Sequence, residues 1–362
     1  MSRAALTLAG FLLAFPPQAA VFTVTKTADT LDGACDSDCS LREAVTAASN
    51  GGALTADVVV IPAGVYQLTR LGAGEDGGFT GDLDLYAPMI LVGAGPGGTV
   101  LSGGGADRVL DIRYAAEIYG VTIRDGRAEG DGGGILVRSS PSFQPVVLQR
   151  SVVTGNQAQN GGDGGGIAAF GHLEIRDSAI LENQAEGDGG GIGAGADGSF
   201  KLTNVTVSGN LAAGSGGGLD YEADVAGTIS GSTIVFNQAQ VSGGGISVGA
   251  AGIPGPYERV FGSIVAENSA PAGRDCIGAE QVSLGYNVFG VGEGCGARPT
   301  DRAGTAQSPL PAVLRLPRAD LGPTPVHELL PNSPALDLVP AQLCEPADQV
   351  GQARTPPCDA GA

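Results

Sequence analysis

Three aspartates stand at equivalent places in a repeated pattern and are the strongest candidates for chemistry in this sequence. Asp131, Asp163 and Asp188 each precede three glycines and an aliphatic residue. If the repeats stack as parallel strands, the carboxylates lie about 5 Å apart. Like charges at that distance raise one another's pKa or attract a cation. The row is therefore a candidate site for a divalent cation such as Ca²⁺. The preferred interpretation is three turn residues whose side chains point into water, and no cofactor is predicted.

The acidic stretch at residues 75–84 offers a second set of oxygen ligands. Its carboxylates belong to Glu75, Asp76, Asp82 and Asp84. Hard cations prefer clustered oxygen atoms, so a calcium site is one interpretation of this stretch. The preferred interpretation is a solvated loop whose charges face water.

The basic residues do not complete a catalytic set. Arg124, Arg150 and Arg176 recur at a constant step close to the length of the repeat, so we expect them to stack on one outward face and to balance nearby acids. A β-helical polysaccharide lyase needs an acidic cluster and an arginine or lysine base in one groove, and the spacing assembles no such set. The sequence has no Ser-His-Asp order, P-loop or H-E-x-x-H motif. We assign no catalytic residue, and His172 is expected in a surface turn.

These residues belong to a regular internal repeat. Its marker is an apolar segment that ends in asparagine, and the triple glycine keeps the same step. A fixed period of about 27 residues indicates a solenoid whose repeats bury their apolar faces on one another. The repeats are rich in Gly, Thr and Val, which oppose an α-helix. The chain is therefore predicted to be all-β, a parallel β-helix in which each repeat forms one coil.

The asparagines of the repeat are predicted to form a structural ladder. The first three steps between them are equal and the last is slightly longer, and Asp125 is assigned to the same position one coil earlier. Stacked asparagine side chains can hydrogen-bond to one another and to the backbone at a corner. The triple glycines mark a second corner, where a positive φ or a close backbone approach excludes a Cβ atom. The ladder residues are Asn156, Asn183, Asn210, Asn237 and Asn268.

Composition and charge exclude two classes of partner. The 362 residues carry a formal net charge of −19, and nucleic-acid binding needs a basic footprint that this chain lacks. An anionic membrane surface is disfavoured for the same reason. Residues 1–20 read as a secretory signal, because Arg3 precedes an apolar run too short to span a membrane. An uncleaved membrane anchor is the alternative, and no later apolar run is long enough to span.

Six cysteines are consistent with export. An even number of cysteines in an exported chain indicates disulfides, although six permit several connectivities and local pairing is one of them. A zinc site is disfavoured, because the spacings are wrong and the two histidines lie far apart in sequence. The close pairs are Cys35 with Cys39, Cys276 with Cys295 and Cys344 with Cys358.

The N-terminal region is predicted to cap the solenoid. Ser40 and Glu43 form a capping box at the start of a short amphipathic helix, which would cover the open edge of the first coil. The run Cys-Ser-Leu-Arg-Glu-Ala at residues 39–44, after a Thr-Val-Thr strand, resembles the CSLREA domain of exported bacterial proteins. The strand and turn at residues 57–66 also fit that family. The resemblance implies a right-handed parallel β-helix with a pectin-lyase-like fold.

The C-terminal region resembles another part of the same group of proteins. Residues 284–290, Leu-Gly-Tyr-Asn-Val-Phe-Gly, are similar to a segment that follows the coils in them. Residues 322–337 are similar to the choice-of-anchor Q region, which implies a structural role for His327 rather than that of a base. The predicted divisions are a signal peptide at 1–20, a cap at 21–56, the β-helix at 57–270 and a closing segment at 271–362.

These features predict a non-enzymatic exported protein, extracellular or at the surface or outer membrane of a bacterium. We expect it to act in adhesion, with glycans or other cell-surface components as partners and with no membrane span after signal removal. The alternative function is a polysaccharide lyase or glycoside hydrolase of the pectin-lyase-like type. The two differ in structure, because an enzyme would bring two or three carboxylates and an arginine together in one groove.

Overall fold

The computed structural model describes residues 19–50, 55–138, 145–195, 198–222, 225–249, 258–278 and 283–362. The predicted signal peptide lies outside these ranges except for Ala19 and Ala20. The described residues form helix α1, Leu41–Asn50, a short 3₁₀ helix, Ala341–Leu343, and a series of β-strands. None of their helices is long and apolar enough to cross a membrane. In chain order the strands are β1 Val21–Thr23, β2 Asp57–Ile61, β3 Gly64–Gln67, β4 Leu83–Leu85, β5 Met89–Gly93, β6 Thr99–Ser102, β7 Leu110–Ile112, β8 Ala116–Tyr119, β9 Thr122–Arg124, β10 Arg127–Ala128, β11 Ile135–Val137, β12 Val146–Gln149, β13 Val152–Thr154, β14 Gln157–Ala158, β15 Ile167–Ala169, β16 His172–Leu181, β17 Gln184–Ala185, β18 Ile192–Ala194, β19 Ser199–Ser208, β20 Leu211–Ala212, β21 Leu219–Tyr221, β22 Ala226–Ser230, β23 Thr233–Val235, β24 Gln238–Ala239, β25 Ile246–Val248, β26 Glu258–Phe261, β27 Ile264–Ala266, β28 Cys276–Ile277, β29 Ser283–Gly285, β30 Val288–Phe289 and β31 Arg302–Ala303.

The strands form three parallel sheets along the solenoid. Within the described ranges, sheet A has eighteen strands, sheet B has eight and sheet C has five short strands. One coil passes through all three sheets, with β15 in sheet B, β16 in sheet A and β17 in sheet C. Ile192, Leu219 and Ile246 pair in register at the interval that the repeat predicts. The predicted all-β, right-handed parallel β-helix is therefore confirmed.

The interior is filled by aliphatic side chains that stack from coil to coil. Ile167, Ile192 and Leu219 begin successive strands of sheet B, and each is at most 1% exposed. Burying one such side chain contributes about 1.5–3 kcal/mol. Side chains alternate between the two faces of a strand. The middle residue of each short strand in sheet B therefore points away from this core. The aspartates of the candidate site described below occupy this middle position.

The asparagines form a buried hydrogen-bonded column. Asn210 Oδ1 accepts from both the backbone N of Asn183, at 2.9 Å, and its Nδ2, at 3.0 Å. Asn210 Nδ2 donates in turn to Asn237 Oδ1 at 2.9 Å and to the carbonyl oxygen of Ile180 at 3.0 Å. The same pattern continues through the other ladder residues. Every buried amide atom of the column therefore has a partner in a neighbouring coil, which holds the coils in register.

The two ends of the column differ from the prediction. Gly126, rather than Asp125, occupies the asparagine position before Asn156, because Gly126 N donates to Asn156 Oδ1 at 2.9 Å. Asp125 lies one position earlier, in a left-handed turn with φ of 55°. At the other end Asp275 Oδ1 accepts from both the backbone N and the Nδ2 of Asn268. Burial raises the pKa of Asp275 to about 6.

A column of serine hydroxyls forms a second ladder at a bend within sheet A. Ser151 N donates to Ser178 Oγ, and Ser232 N donates to Ser263 Oγ, both at 3.1 Å. The hydroxyls also donate to the carbonyl oxygen two positions earlier, as Ser178 does to Arg176 at 2.6 Å. These serines repeat at the intervals of the asparagines except in one coil, where Val205 takes the position and its backbone N donates to Ser232 Oγ at 3.1 Å. The sequence therefore carries a signal, with one interruption, for this second column as well.

The predicted arginine row is wrong. The arginines are 26 residues apart, whereas paired residues of adjacent coils are 30 apart at Arg124 and Thr154 and 27 apart at Gln149 and Arg176, so each arginine falls on a different position. Arg176 pairs with Gln149 within sheet A, whereas Arg150 lies in the following corner with φ of 48°. Arg124 pairs with Thr154 in a different part of the sheet. The three guanidinium groups therefore do not share one column.

Helix α1 packs on the N-terminal end of the solenoid. Glu43 N donates to Ser40 Oγ at 3.1 Å, and Ser40 N donates to Glu43 Oε2 at 2.7 Å, which is the geometry of a capping box. The buried face of the helix, which includes Leu41, Ala44 and Val45, joins the main hydrophobic core. The helix therefore covers apolar side chains of the first strands.

The C-terminal segment turns back along the outside of sheet A. Thr206 Oγ1 donates to Gln349 Oε1 at 2.8 Å, and Ala362 N donates to Thr233 Oγ1 at 2.9 Å. A small hydrophobic core, separate from the main one, lies beneath the segment. The segment therefore covers the side of the later coils.

The two histidines have structural contacts. His327 Nδ1 lies 2.6 Å from the carbonyl oxygen of Arg315, so it donates there, and its Nε2 lies 2.9 Å from Ser208 Oγ. Burial lowers the pKa of His327. His172 begins strand β16 and contacts Ser199, so it does not lie in the expected turn.

All six cysteines form disulfides between the close pairs. Cys35 bonds to Cys39 just before α1, Cys276 bonds to Cys295 after the regular coils, and Cys344 bonds to Cys358 in the C-terminal segment. Disulfides form and persist in oxidising compartments. The pairing is therefore consistent with an extracellular protein.

Candidate functional site

Two aspartates of adjacent coils lie side by side on the outer face of sheet B. Asp84 is the middle residue of β4, Asp111 is the middle residue of β7, and the two pair in register. Their flanking residues Leu83 and Leu110 belong to the core, so strand alternation directs both carboxylates outward. Both are nevertheless covered by other parts of the chain, since Asp84 is 3% and Asp111 1% exposed.

The loop before β4 brings a third carboxylate to this pair. One oxygen from each of Asp76, Asp84 and Asp111 lies within 4.8 Å of the other two. Asp76 is exposed, whereas the other two are buried. We call these three residues the acidic triad. It is the one group of three potential acidic, histidine or cysteine ligands at this spacing among the residues that the structure describes.

The predicted ligands of the acidic stretch separate into different roles. Glu75 turns back on its own loop and accepts from Thr80 N at 2.9 Å. Asp82 is 3% exposed and lies 3.5 Å from Arg108. The preferred interpretation as a solvated loop is therefore wrong for Asp82 and Asp84, because the helix and the neighbouring coil cover them. The predicted set also lacks Asp111, whose Leu-Asp-Ile strand repeats the Leu-Asp-Leu of β4 one coil later.

Three arginines contact the acidic triad unevenly. Arg108 Nη1 lies 3.8 Å from Asp111 Oδ2. Arg113 Nη2 lies 2.6 Å from Asp76 Oδ1 and 3.4 Å from Asp111 Oδ2. Arg138 forms an ion pair with Asp111 and approaches Asp76 at 4.0 Å. None of the three arginines comes within ion-pair distance of Asp84, which has no such partner among the described lysines and arginines. Asp84 therefore lacks the ion pairs with arginine that Asp111 has.

One oxygen of Asp84 has no hydrogen-bond partner. Asp84 Oδ2 accepts from Gly78 N at 2.9 Å, but its Oδ1 is buried without a partner in the described part of the chain. Leaving a buried acceptor unsatisfied costs about 1–3 kcal/mol. A pocket of about 440 Å³, lined by Asp76, Asp84 and residues of α1, opens beside this residue. The pocket is large enough to admit an ion with its water.

Burial and crowded negative charge raise the pKa values at this end of the solenoid. Burial, with a smaller contribution from Asp111, raises the pKa of Asp84 to about 7. Burial and the charge of Asp107 raise the pKa of Asp82 to about 8, against the opposing effect of Arg108. These carboxyl groups therefore hold protons near neutral pH unless a cation compensates their charge.

Arg42 of helix α1 fixes the loop that carries Asp76. Its guanidinium donates to the carbonyl oxygens of Gly78 at 3.0 Å, Gly81 at 2.7 Å and Asp82 at 2.9 Å. Its remaining donors form a bidentate pair with Asp29, at 2.7 and 3.2 Å. All five N–H groups of this buried side chain are used, which is the full capacity of an arginine. The loop is therefore held at several points before it enters β4.

The row of Asp131, Asp163 and Asp188 forms a different structure from either expectation. Asp163 N donates to Asp131 Oδ1 at 2.9 Å, and Asp188 N donates to Asp163 Oδ1 at 2.6 Å. Each carboxylate thus accepts a backbone N–H of the next coil, and Asp188 does the same for Ser215. The side chains therefore do not splay into water, and the acidic triad, rather than this row, is the described group whose carboxylate oxygens lie within 4.8 Å of one another. The hydrogen bonds of the row join one glycine corner to the next.

Asp220 adds a fourth acid beside this row. It is the middle residue of β21 and pairs with Ser247 in register. Burial raises its pKa to about 6, and the charges of Asp188 and Asp163 contribute. Burial also raises the pKa of Asp163, with the adjacent carboxylates adding to the effect. The repeat therefore accumulates negative charge along the outer side of sheet B.

Comparison with known proteins does not identify a family. No family model and no curated protein sequence matches the chain. It is similar to a solved structure, the crystal structure of pectate lyase Pel9A, with a TM-score of 0.45 and 14% sequence identity over 96% of each chain. At that TM-score the likeness supports no statement about function.

Polar side chains lie on the outward face of sheet A in the middle coils. Glu174 of β16 pairs with Lys201 of β19, and Gln149 of β12 pairs with Arg176 in the adjacent row. Glu174 Oε1 lies 2.6 Å from Arg176 Nη2 and 3.2 Å from Lys201 Nζ. Arg176 and Lys201 are both exposed. This face therefore presents cations to solvent on a protein with a large net negative charge.

An aromatic ring continues the same row. Tyr119 pairs with Gln149 in the preceding coil, and Arg176 pairs with Thr203 in the following one. Arg150 Nη1 donates to Tyr119 Oη at 2.9 Å. We call the row Tyr119, Gln149, Arg176 and Thr203, together with Arg150, Glu174 and Lys201 beside it, the polar strip. Its members are about 4.8 Å apart from coil to coil, which makes a straight track across four coils.

Proposed function

We propose that this protein is an exported, non-enzymatic β-helix protein that binds an extended acidic polysaccharide along the polar strip. The observation that carries the proposal is the straight register of Tyr119, Gln149, Arg176 and Thr203 on one outward face. A parallel sheet repeats its side chains at a constant step, so a linear polymer can make similar contacts in each coil. Adhesion to a cell wall or matrix glycan is the corresponding biological role.

The chemistry of the strip suits an acidic sugar chain. Arg176, Lys201 and Arg150 offer charge-assisted donors for carboxylate groups. The ring of Tyr119 provides an apolar face with a polar tip, a combination that suits the mixed surface of a sugar. Glu174 partly neutralises the cations, so the proposed binding relies on hydrogen bonds and stacking as well as on charge.

The compartment is part of the same proposal. Three disulfides support folding outside the cytosol. The secretory signal at residues 1–20 and the resemblance to CSLREA and choice-of-anchor Q proteins agree with export to the surface of a bacterium. Secretion of the chain without residues 1–20 and with its disulfides formed is the expected result when it is expressed in a bacterial host, and retention of a reduced chain in the cytosol would contradict it.

A matched pair of variants tests the binding site. Arg176 and Lys201 share Glu174, and Arg315 and Arg318 of the C-terminal segment share Glu328 at 3.1 and 3.4 Å. In affinity gel electrophoresis with polygalacturonate, alginate and a neutral glucan, we expect the acidic polymers to retard the wild type. The double variant Arg176→Ala/Lys201→Ala should lose this retardation.

The control variant Arg315→Ala/Arg318→Ala removes the same charge from another exposed face and should bind as the wild type does. Equal loss in both double variants would indicate general charge attraction and would contradict a defined strip. No retardation of the wild type by any acidic polymer would contradict the proposal itself.

A second candidate function is cation-dependent cleavage of a polysaccharide at the acidic triad. Its support is the convergence of three carboxylates with Arg113 and Arg138, the arrangement that distinguishes an enzyme from a binding protein. The ultraviolet absorbance of unsaturated uronates reports lyase activity directly. Absorbance that rises only with Ca²⁺ and disappears in Asp111→Ala would support this function. Activity that disappears in Asp163→Ala alone would place the chemistry in the other aspartate row.

A further inference from the structure

We propose that Asp76, Asp84 and Asp111 bind a Ca²⁺ ion that fastens the loop before β4 to the first coils of the solenoid. This site is separate from the polar strip, and it does not depend on the proposed polysaccharide binding. The ion would have a structural role, joining a loop residue to two residues of adjacent strands. The inference rests on the spacing of the carboxylates, the incomplete bonding of Asp84 and the chemistry of the donors.

The spacing fits a single ion. One oxygen from each member of the acidic triad lies within 4.8 Å of the others. Oxygen ligands bind Ca²⁺ at about 2.3–2.6 Å, so two ligands on opposite sides of one ion are at most about 5 Å apart. The three oxygens therefore already lie within the span of one coordination sphere, with no movement of the strands required. Water can supply the remaining ligands through the adjoining pocket.

The unpartnered oxygen of Asp84 is an independent indication of a ligand. Asp84 is 3% exposed, its Oδ1 has no hydrogen bond among the described residues, and none of their basic side chains forms an ion pair with it. A buried carboxylate normally has a paired cation or a full set of hydrogen bonds. Asp111 meets that requirement through Arg138, whereas Asp84 does not. A cation beside Asp84 would supply the missing contact.

The donor chemistry selects the class of ion. All three side chains offer hard carboxylate oxygens, which suit Ca²⁺ rather than the softer metals that take nitrogen and sulfur ligands. Mg²⁺ demands shorter, near-octahedral bonds and gives up its water reluctantly. The neighbouring arginines weaken the attraction for a cation. The expected affinity is therefore in the range of extracellular calcium modules, about 10⁻⁴ to 10⁻³ M.

The ion would add a further attachment for the loop before β4, which Arg42 already holds by its backbone. Arg42 holds the backbone of the loop at Gly78, Gly81 and Asp82, but it does not reach the exposed Asp76. Arg113, at 2.6 Å, is the nearer of the two arginines that now hold Asp76 near the strands, and Arg138 lies 4.0 Å away. A shared ion would tie Asp76 directly to Asp84 and Asp111, in β4 and β7. Occupancy should therefore protect both the loop and the first coils from opening.

Calorimetric titration and thermal unfolding of the full disulfide-bonded chain test the site with the metal alone. Ca²⁺ at about 10 mM should raise the Tm relative to EDTA by about 2–4 °C, and Mg²⁺ should act more weakly. Asp84→Asn should abolish the Ca²⁺-dependent rise. Asp125→Asn makes the same chemical change at an exposed turn outside the triad and should respond to Ca²⁺ as the wild type does.

Asp76→Asn provides a second variant, because its exposed side chain can be changed without disturbing the core. We expect it to fold and to weaken Ca²⁺ binding at least about tenfold. An unchanged Tm of the wild type between EDTA and millimolar Ca²⁺ would overturn the proposal. A Ca²⁺-dependent rise in Tm that persists in full in both Asp84→Asn and Asp76→Asn would also overturn it. Since no polysaccharide is present, either result is independent of the binding proposed for the polar strip.

Discussion

Asp84 and Asp111 pair in adjacent coils and are both buried, yet their bonding differs. Asp111 forms ion pairs with Arg113 and Arg138, whereas Asp84 binds the backbone of Gly78 and keeps one oxygen without a partner in the described chain. The N-terminal end of the solenoid therefore buries a carboxyl group that forms no ion pair with the described basic side chains. The loop before β4 covers this group, and the contacts that hold the loop can be tested directly.

Arg42→Lys should loosen this end of the protein. A lysine ammonium offers three donors in place of five and cannot form the bidentate pair with Asp29, so buried carbonyl oxygens lose their partners. We expect destabilisation by about 3 kcal/mol or more, measured by denaturant unfolding, and faster proteolysis within residues 70–82. Arg70→Lys is the matched control, because Arg70 contacts the same loop through one carbonyl, that of Phe79. Equal effects of the two variants would show that Arg42 has no special role.

Asn210→Ala should break the asparagine column at its centre. The change removes an acceptor for both donors of Asn183 and a donor to Asn237 and Ile180. Several buried polar groups lose their partners together, so the expected loss is about 3 kcal/mol or more in the free energy of unfolding. Gln184→Ala, at an exposed position in the same repeat, should cost little. A loss below about 1 kcal/mol for Asn210→Ala would mean that the column contributes little to stability.

Asp220 should make the stability depend on pH. Its pKa is raised from 3.8 to about 6 in the folded protein, chiefly by burial, so the protonated form is favoured on folding. The resulting stability is fully present below about pH 4 and is lost as the pH rises through about 6. Asp220→Asn removes this loss and should stabilise the protein at pH 8 by up to about 3 kcal/mol.

The unfolding free energies of the wild type and Asp220→Asn should therefore converge near pH 4 and diverge toward pH 8. Ser247→Ala provides a neighbouring control that leaves the carboxylate in place. Parallel pH profiles of the wild type and Asp220→Asn would contradict the assignment.

His327 should release the C-terminal segment in acid. Burial lowers its pKa below the ordinary value of 6.5, so the folded state favours the neutral ring. This preference becomes a cost to folding as the pH falls below 6.5. Limited proteolysis should cut residues 305–362 faster at pH 5 than at pH 7 while the coils stay intact. A His327→Gln variant should show less change with pH, and equal acid sensitivity in that variant would place the effect elsewhere.

The sequence predicts the regular parts of this fold because they repeat. The coil length and the asparagine ladder follow from one residue in each coil, and the capping box of Ser40 and Glu43 follows from their spacing. The outer face of sheet B is less predictable. Its early strands begin at unequal intervals, because the loops between them differ in length, as the starting residues Leu83, Leu110, Ile135 and Ile167 show. Which outward acids meet therefore depends on loop conformation that the period does not encode.

Contacts between distant parts of the chain are the other limit to prediction. Thr206 and Gln349 are 143 residues apart in sequence, and no periodicity relates the C-terminal segment to the coil that it covers. The aspartate row illustrates the same limit at short range. Its residues lie in successive coils, but their carboxylates accept backbone N–H groups of the next glycine corner, a use that residue type and spacing alone do not distinguish from metal binding.

Lysine footprinting tests the proposed function most directly, because the chain has two lysines, Lys26 and Lys201. Lys201 lies in the polar strip, whereas Lys26 pairs with Asp38 in the N-terminal region. We predict that polygalacturonate strongly reduces the acetylation of Lys201 by a limiting reagent and leaves that of Lys26 unchanged, as read by mass spectrometry. Equal labelling of Lys201 with and without a polymer that the protein demonstrably binds would contradict binding along the polar strip.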